Sequence, residues 1–587
     1  MKRLILSILA AGAFSAAMAI PALPGLCRFS QPDGSVVELR IVGDEHGHVL
    51  LSTDGMLVVN TGGRMEYARF DSSGFPEASG IAVGEPVTSN AVQMLRQSPE
   101  QIERWTAMVE NERNERIYAL SNFNRMKTRA DDSTGEGDSP VDEERLVPLN
   151  FGRTHSTFPV TGVQKALVIL VEYQDVAFEY GDFDYFNRML NEDGFSDHGS
   201  LGSARDWFVY NSNGQFLPDF DVYGPVKLPN KREYYGKNDL FGNDVKPYEM
   251  VIDAFEILDE EVDFSQYDRD GDGKIDNVFI FYAGKGEHDS GLSNAVWPHS
   301  WNFEIADPDK EYVYDDVILS QYACTCEYPN GYKRADGIGT FIHEFSHVIG
   351  LPDLYVTTYS GGFTPGPWSV LDQGPYNNDR LTPPNYSSYE KCALGWIEMQ
   401  PLAPGTLELP DFPLSNVAYA LPTENPNEFF FFENRQLNGN DAFLPGHGML
   451  AWHIDYDEKA WENNVVNNNA SHQRVDLVEA DNSRTEKTRN GDSFPGVKNV
   501  TKFTFASKPS LQSWKKKSLG MDITNIEETE DGLIRLTVVE TEDVNAVESI
   551  VAPEFDDKIY YDLTGRRILN PANGIYIHNG KKVVVKN

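Results

Sequence analysis

Residues 343–353 read His-Glu-Phe-Ser-His-Val-Ile-Gly-Leu-Pro-Asp. His343 and His347 are four apart, so on a helix they share one face. Two imidazoles so placed can grip one Zn²⁺, and Glu344 beside them stands where a general base is needed. Gly350 allows the left-handed residue that ends a helix, and Pro352 cannot continue one. The turn can bring Asp353 back as a third ligand, leaving the fourth position for water, as a catalytic zinc requires. Phe341, Ile342, Phe345, Val348 and Ile349 surround the polar residues, which predicts a buried helix over 341–350 with Thr340 near its cap. A buried helix whose histidines merely hydrogen-bond is the plainer reading. Two imidazoles and a carboxylate in an apolar setting cost free energy unless paired, and this favours the metal.

A second constellation lies at 268–276, Asp-Arg-Asp-Gly-Asp-Gly-Lys-Ile-Asp. Carboxylates at positions 1, 3, 5 and 9, with Gly at 6, match the first part of an EF-hand loop. Asp268, Asp270 and Asp272 would point at one Ca²⁺, the Lys274 carbonyl would add an oxygen, and Asp276 would reach it directly or through water. Position 12 is Phe279 rather than Glu, and the exit reads as a strand, so the second helix of an EF-hand is not expected. Carboxylates this close repel unless a cation sits among them; a solvated acidic turn is the alternative.

Other polar residues carry weaker signals. His288, His299, His447 and His453 stand alone among aromatics, and His46 and His48 sit in a Gly/Asp-rich turn; all read as hydrogen-bonded packing or loop residues. Tyr376 follows the Trp368–Asp372 segment and has the chemistry to steady an oxyanion. Cys27, Cys324, Cys326 and Cys392 read as strand or loop residues. Cys324 and Cys326 are too close for an easy mutual disulfide, and a thiolate of Cys27 capping the metal is a second use for that residue. There is no G-x-S-x-G nucleophile elbow and no phosphate-cradling Gly loop.

The chain has 587 residues and a formal net charge of −40. Such acidity repels nucleic acid and anionic membranes, suits an extracellular protein and supplies carboxylates for Ca²⁺. Lys2 and Arg3 precede an apolar run from Leu4 to Ala17, and Ala17-Met18-Ala19 fits a cleavage site, so 1–19 reads as a secretory signal peptide, with an anchor helix as the alternative. No other run approaches the length of a membrane span. The expected location is outside the cell or at its surface.

The elements that must position these residues follow from pattern. Short alternating runs at 36–41, 49–51 and 56–59 predict a small β unit, and 98–126 is charged with a helical pattern. Residues 127–146 are Gly/Ser/Asp-rich and polar, which marks a protease-accessible linker. Apolar runs at 166–171 and 278–282 predict buried strands, with helices near 182–192, 202–211, 245–259 and 387–394. After about 400 the sequence turns β-rich, as in Glu428–Arg435 and Gly448–Ile454. The expected layout is a signal peptide (1–19), a pro-region (20–126), a linker (127–162), a catalytic unit (163–400), a β-rich accessory unit (401–545) and a tail (546–587). The tail resembles modules that some bacteria use for export or display.

The segment Gly337–Tyr355 (GIGTFIHEFSHVIGLPDLY) resembles the immune inhibitor A family of secreted bacterial zinc metallopeptidases, and the resemblance extends over roughly 150–545. The His-Glu-x-x-His-x-x-Gly-x-x-Asp pattern is similar to metzincins that end in Asp. The resemblance implies an α/β (α+β) metzincin-like catalytic domain between a β-containing pro-region and an all-β C-terminal domain. It also implies a zymogen, protein substrates and the same calcium loop. Metzincins place a methionine in a turn beneath the zinc; here Trp368-Ser369-Val370-Leu371-Asp372 looks like that turn, with Leu371 filling a similar volume. The function expected is a secreted zinc endopeptidase, in which Glu344 takes the proton of a water activated by zinc. The rivals are a catalytically silent surface adhesion protein and a zinc amidase or glycan-directed hydrolase. The sequence sets no oligomeric state.

Overall fold

The computed structural model describes residues 22–541 apart from 24, 45–46, 86–91, 93–94, 96, 113–144, 155, 157 and 358–361, together with 560–561, 567–568, 572, 574–578 and 581–585. The expected signal peptide, His46, most of the polar linker and much of the tail lie outside the described residues. No described helix is long and apolar enough to cross a membrane.

Alternating apolar residues build the first sheet. Strands β1 (Cys27–Ser30), β2 (Val36–Asp44), β3 (Gly47–Ser52), β4 (Leu57–Thr61), β5 (Arg64–Phe70) and β6 (Pro76–Ala82) pair antiparallel in chain order. One face buries Cys27, Phe29, Val37, Leu39 and Ile41. The other packs on Trp105 and Val109 of helix α1 (99–112).

The central sheet grows from two continuous apolar runs. Strand β7 (Gly162–Glu172) lies parallel to β8 (Phe216–Lys227) on one side and to β10 (Val278–Tyr282) on the other. Helices α2 (Phe183–Asn191), α3 (Ala204–Asn211) and α4 (Pro247–Leu258) intervene. A short β9 (Lys274–Ile275) precedes β10, and a short helix α5 (Glu287–Ser290) follows it. Edge strand β11 (His299–Asn302) runs antiparallel to β14 (Gln321–Cys326), giving the order β11-β14-β10-β7-β8. The two-residue β12 (Val313–Tyr314) and β13 (Val317–Leu319) form a small sheet with β9. Alternate residues of β7 and β10 enter separate cores: Leu167, Ile169, Val278 and Ile280 face one way, Val168, Leu170, Phe279 and Phe281 the other.

The second of these cores holds helix α6 (Ile338–Val348), all of whose residues are buried. The helix starts three residues before the expected 341. Gly337 and Gly339 permit this, because a Cβ on either would lie 2.2 Å from the Arg380 carbonyl or 2.1 Å from that of Pro375. Helix α7 (Ser388–Ala393) opens with a capping box of Ser387 and Glu390. Beyond it, strands β15 (Gln400–Pro401), β17 (Tyr419–Pro422), β18 (Glu428–Arg435), β19 (Gly448–Asp455) and β20 (Val475–Leu477) form one sheet; β16 (Gly405–Leu409), β21 (Met521–Glu528) and β22 (Ile534–Glu540) form another. Phe429, Phe431, Trp452 and Trp461 share the core of α6. Four short strands between 560 and 585 pair in the tail.

Two packing facts bear on the site. Within the stretch expected as the end of the linker, Val147, Phe151 and Phe158 are buried in the α6 core. The first sheet also docks on the segment that leads into β11. Trp297 enters its core, His48 Nε2 lies 3.2 Å from Glu287 Oε1, and Asn60 donates to the Gly291 carbonyl at 2.7 Å.

Candidate metal centre

Helix α6 ends as its sequence demands. Gly350 has φ +94°, its N–H donates to the His347 carbonyl, and the Leu351 N–H reaches back to Ser346 O at 3.0 Å. This is a Schellman close, and it turns the chain so that Asp353 comes back over the helix. Residues upstream satisfy the helix's last carbonyls: Ser156 Oγ donates to Val348 O, Arg153 Nε to Ile349 O and Thr154 N to Gly350 O, at 2.5, 2.9 and 2.9 Å.

The two histidines are fixed through their other nitrogens. His343 Nδ1 lies 2.7 Å from the Val370 carbonyl and His347 Nδ1 lies 2.7 Å from that of Leu351. A carbonyl only accepts, so each Nδ1 carries a hydrogen and each Nε2 is the nitrogen left to face a metal that displaces its proton. The two Nε2 atoms are 3.2 Å apart, and Asp353 Oδ1 is 3.3 Å from one and 3.4 Å from the other. In a tetrahedron with bonds of ~2.0–2.1 Å, ligand atoms stand about 3.3 Å apart. Three Lewis bases at that spacing therefore fit one zinc-sized cation. Burial opposes a charge on His343, but the Asp353 carboxylate holds its pKa up at about 9. Burial likewise opposes ionisation of Asp353, and His347 and His343 overcome it and hold that carboxyl far below the usual range. All four residues, Glu344 included, have no exposed surface.

The turn beneath is formed by 366–374. Its Val370 carbonyl holds His343, and its Leu371 carbonyl accepts from Leu354 N at 2.8 Å. Leu371 is buried among the apolar residues of the α6 core. Tyr376 lies against Arg380, whose guanidinium is 5.2 Å from the ring centre.

Sequence reasoning missed the residues that hold Asp353 and the helix end. Asn464 Nδ2 donates to Asp353 Oδ2 at 2.6 Å, and its Oδ1 accepts from Asp353 N at 2.8 Å. The run Asn467-Asn468-Asn469 was a visible oddity, but no spacing links it to 353.

The acidic loop closes on itself. Asp268, Asp270 and Asp272 carry carboxylate oxygens within 4.8 Å of one another. Asp268 accepts from the N–H groups of Gly271, Asp272 and Gly273. Asp276 accepts from Arg269 N at 2.6 Å, and burial together with the charges of Asp270, Asp272 and Asp268 pushes its carboxyl up to about 7. Lys274 begins β9, and its Nζ is bound to Glu304 at 2.8 Å. Burial, and then the neighbouring Asp270 charge, pushes Asp272 up to about 6.

The isolated histidines are hydrogen-bonded. His299 meets the Trp297 carbonyl and the Tyr322 hydroxyl, while His453 and His447 each meet a glutamate. All four cysteines are free and buried. Burial pushes Cys27 up to about 12, which makes it a poor thiolate, and it packs in the core of the first sheet rather than with the candidate ligands.

With this geometry in view, the relatives are informative. Residues 160–396 match the model of the immune inhibitor A peptidase M6 catalytic domain. Immune inhibitor A of Bacillus thuringiensis subsp. alesti is 28% identical over 273 residues, 39% of this chain and 39% of that protein. The pre-pro-metalloprotease PrtV of Vibrio cholerae serotype O1 (strain M66-2) is 27% identical over 275 residues, 40% of this chain and 29% of that protein. The chain thus spans well under half the length of these relatives. The family implies a metal cofactor, typically zinc, and protein substrates. Over residues 160–396 the chain is thus similar to the catalytic domain of the immune inhibitor A metallopeptidases.

Proposed function

We propose that this chain is a secreted zinc endopeptidase made as a zymogen. The observation that carries the reading is the trio of His343 Nε2, His347 Nε2 and Asp353 Oδ1 at 3.2–3.4 Å, with both imidazoles held by backbone carbonyls in the metal-binding tautomer. These three would hold zinc, in a metzincin-like arrangement with Leu371 in the turn beneath. When bound, zinc supplies Lewis acidity toward a peptide carbonyl and toward the attacking water. Glu344 takes a proton from that water at a carboxylate oxygen and returns it to the leaving amine. Every residue of the helix that carries Glu344 and both histidines is buried, which keeps the dielectric low around these charges.

Residues 20–126 act as the pro-region in this reading. The fully buried ligands, the docking of the first sheet beside β11 and the words "pre-pro" in the name of PrtV all support latency. A signal peptide over 1–19, a linker cut for activation, a catalytic unit over 163–400, an accessory unit over 401–545 and a sorting tail over 546–587 complete the layout. Asp268, Asp270, Asp272, the Lys274 carbonyl and Asp276 would hold a structural Ca²⁺.

The test is metal analysis of the purified chain, with casein hydrolysis after limited proteolysis, with and without chelator. Glu344→Gln should keep zinc and lose activity by ~10²–10⁴-fold. A variant that digests casein at the parent rate would remove Glu344 from its role.

A further inference from the structure

The carboxylate of Asp353 is divided between two tasks. Oδ1 faces the imidazoles, and Oδ2 accepts the Asn464 amide at 2.6 Å. Asn464 completes the clasp by accepting from the Asp353 N–H at 2.8 Å. It can do so because it sits at φ +51°, a left-handed conformation that asparagine tolerates. The clasp is itself braced. Thr357 Oγ1 donates to the Asn464 carbonyl at 2.9 Å, and Asn468 Oδ1 accepts from Thr357 N at 2.8 Å. Asn467 Nδ2 donates to the Leu354 carbonyl at 2.8 Å. Three asparagines from the loop between β19 and β20 thus grip 353–357. Asn464, Asn467 and Asp353 are all buried.

We infer that Asn464 is the positioning residue of the metal centre: by occupying Oδ2 it makes Asp353 a one-oxygen ligand and so keeps a coordination position free for chemistry. The inference rests on the reading of Asp353 as third ligand. Its logic is that of outer-shell partners generally. A free carboxylate can turn and present both oxygens, whereas one with an oxygen committed to a buried amide cannot turn without losing that bond. Asn464 lies beyond the matched segment 160–396, so the site takes a necessary part from the β-rich unit.

The experiment uses the full chain and three variants. Asn464→Asp keeps the acceptor for the Asp353 N–H but turns the donor into an oxygen facing Oδ2. Asn464→Gly tolerates the positive φ and deletes both contacts, and it decides the matter if Asn464→Asp does not fold. Asp353→Ala removes the ligand. Zinc affinity is read by competition with a chromophoric chelator, the visible spectrum is read with Co²⁺ in place of zinc, and the melt is read on chelator-treated protein. The expected result is zinc binding weaker by about 10–100-fold in the Asn464 variants. The Co²⁺ bands should weaken or shift as coordination number changes, with the chelator-treated melt close to that of the parent. A lower melt with unchanged zinc affinity and an unchanged Co²⁺ spectrum would reduce Asn464 to a structural residue and overturn the inference. If Asp353→Ala holds zinc as tightly as the parent, the reading of Asp353 as a ligand fails instead.

Discussion

The upstream cap of helix α6 gives a sharp prediction. Arg153 bridges two carbonyls, Ile349 O at 2.9 Å and Phe158 O at 3.0 Å, with its side chain laid over Gly350. Arg153→Met keeps the apolar length and deletes the fork. Each hydrogen bond from a charged donor is worth ~1.5–3 kcal/mol, and a cation at a helix C-terminus adds ~0.3–2 kcal/mol. Part of this is offset, because burial strains the guanidinium enough to bring its pKa down to about 10, and its removal relieves that strain. The net loss should be about 2–4 kcal/mol, given that Ile349 O and Phe158 O are left without this donor. Trp207, Trp368 and Trp461 lie in the same core, so tryptophan fluorescence during a urea titration reports its unfolding. With a slope of ~2–3 kcal/mol per molar urea, the midpoint should fall by about 1 M. A midpoint within ~0.2 M of the parent would show that the helix end does not depend on this cap, and with it the claim that 153–158 belongs to the folded unit would fall.

Activation should follow a cut within 127–144, whereas a chain beginning after Phe158 lacks Arg153, Thr154 and Ser156 and should not hold the helix. N-terminal sequencing of the active species in a limited digest checks this, and an active species starting beyond 158 would contradict it. The melting temperature of chelator-treated protein should rise in millimolar Ca²⁺, and Asp272→Asn should cancel the rise; a melt indifferent to Ca²⁺ would sink the calcium site. Burial pushes Asp492 up to about 7 although it accepts from Trp368 Nε1, so between pH 4 and 7 the native state binds more protons than the unfolded chain. Stability should therefore fall as pH rises through that window, and Asp492→Asn should gain stability at pH 8 but not at pH 4. Parallel pH profiles for parent and variant would refute this.

Local pattern carried much of the architecture. The strand predicted at 278–282 matches β10 residue for residue, and the helices near 183, 204, 247 and 388 begin within a few residues of their expected starts. Such elements are legible because periodicity and caps are local properties of the chain. The Gly350 turn was legible for the same reason. The start of α6 was not, since Gly337 and Gly339 act there through a close approach of the 375–380 backbone rather than through their own preference. Composition marked 127–146 as a linker and the expected layout carried it on to 162, yet Phe151 and Phe158 are core residues and Arg153 between them is a cap. The holders of the site are separated from it by 196 residues in one case and 111 in the other, and no spacing rule reaches that far.

A site assembled this way has no short genetic address. The core that holds α6 draws residues from Val147 to Leu477, from both sides of the boundary at 396 where the matched segment stops. Ribosomes deliver the chain from its N-terminus, so all three candidate ligands emerge before the asparagines that brace them. A chain terminated near 400 would carry every residue of the His-Glu-x-x-His motif and still lack the clasp on Asp353. Fragment libraries cut at the family boundary would thus sample the motif without sampling the centre, and a fusion partner joined there would cap an open core.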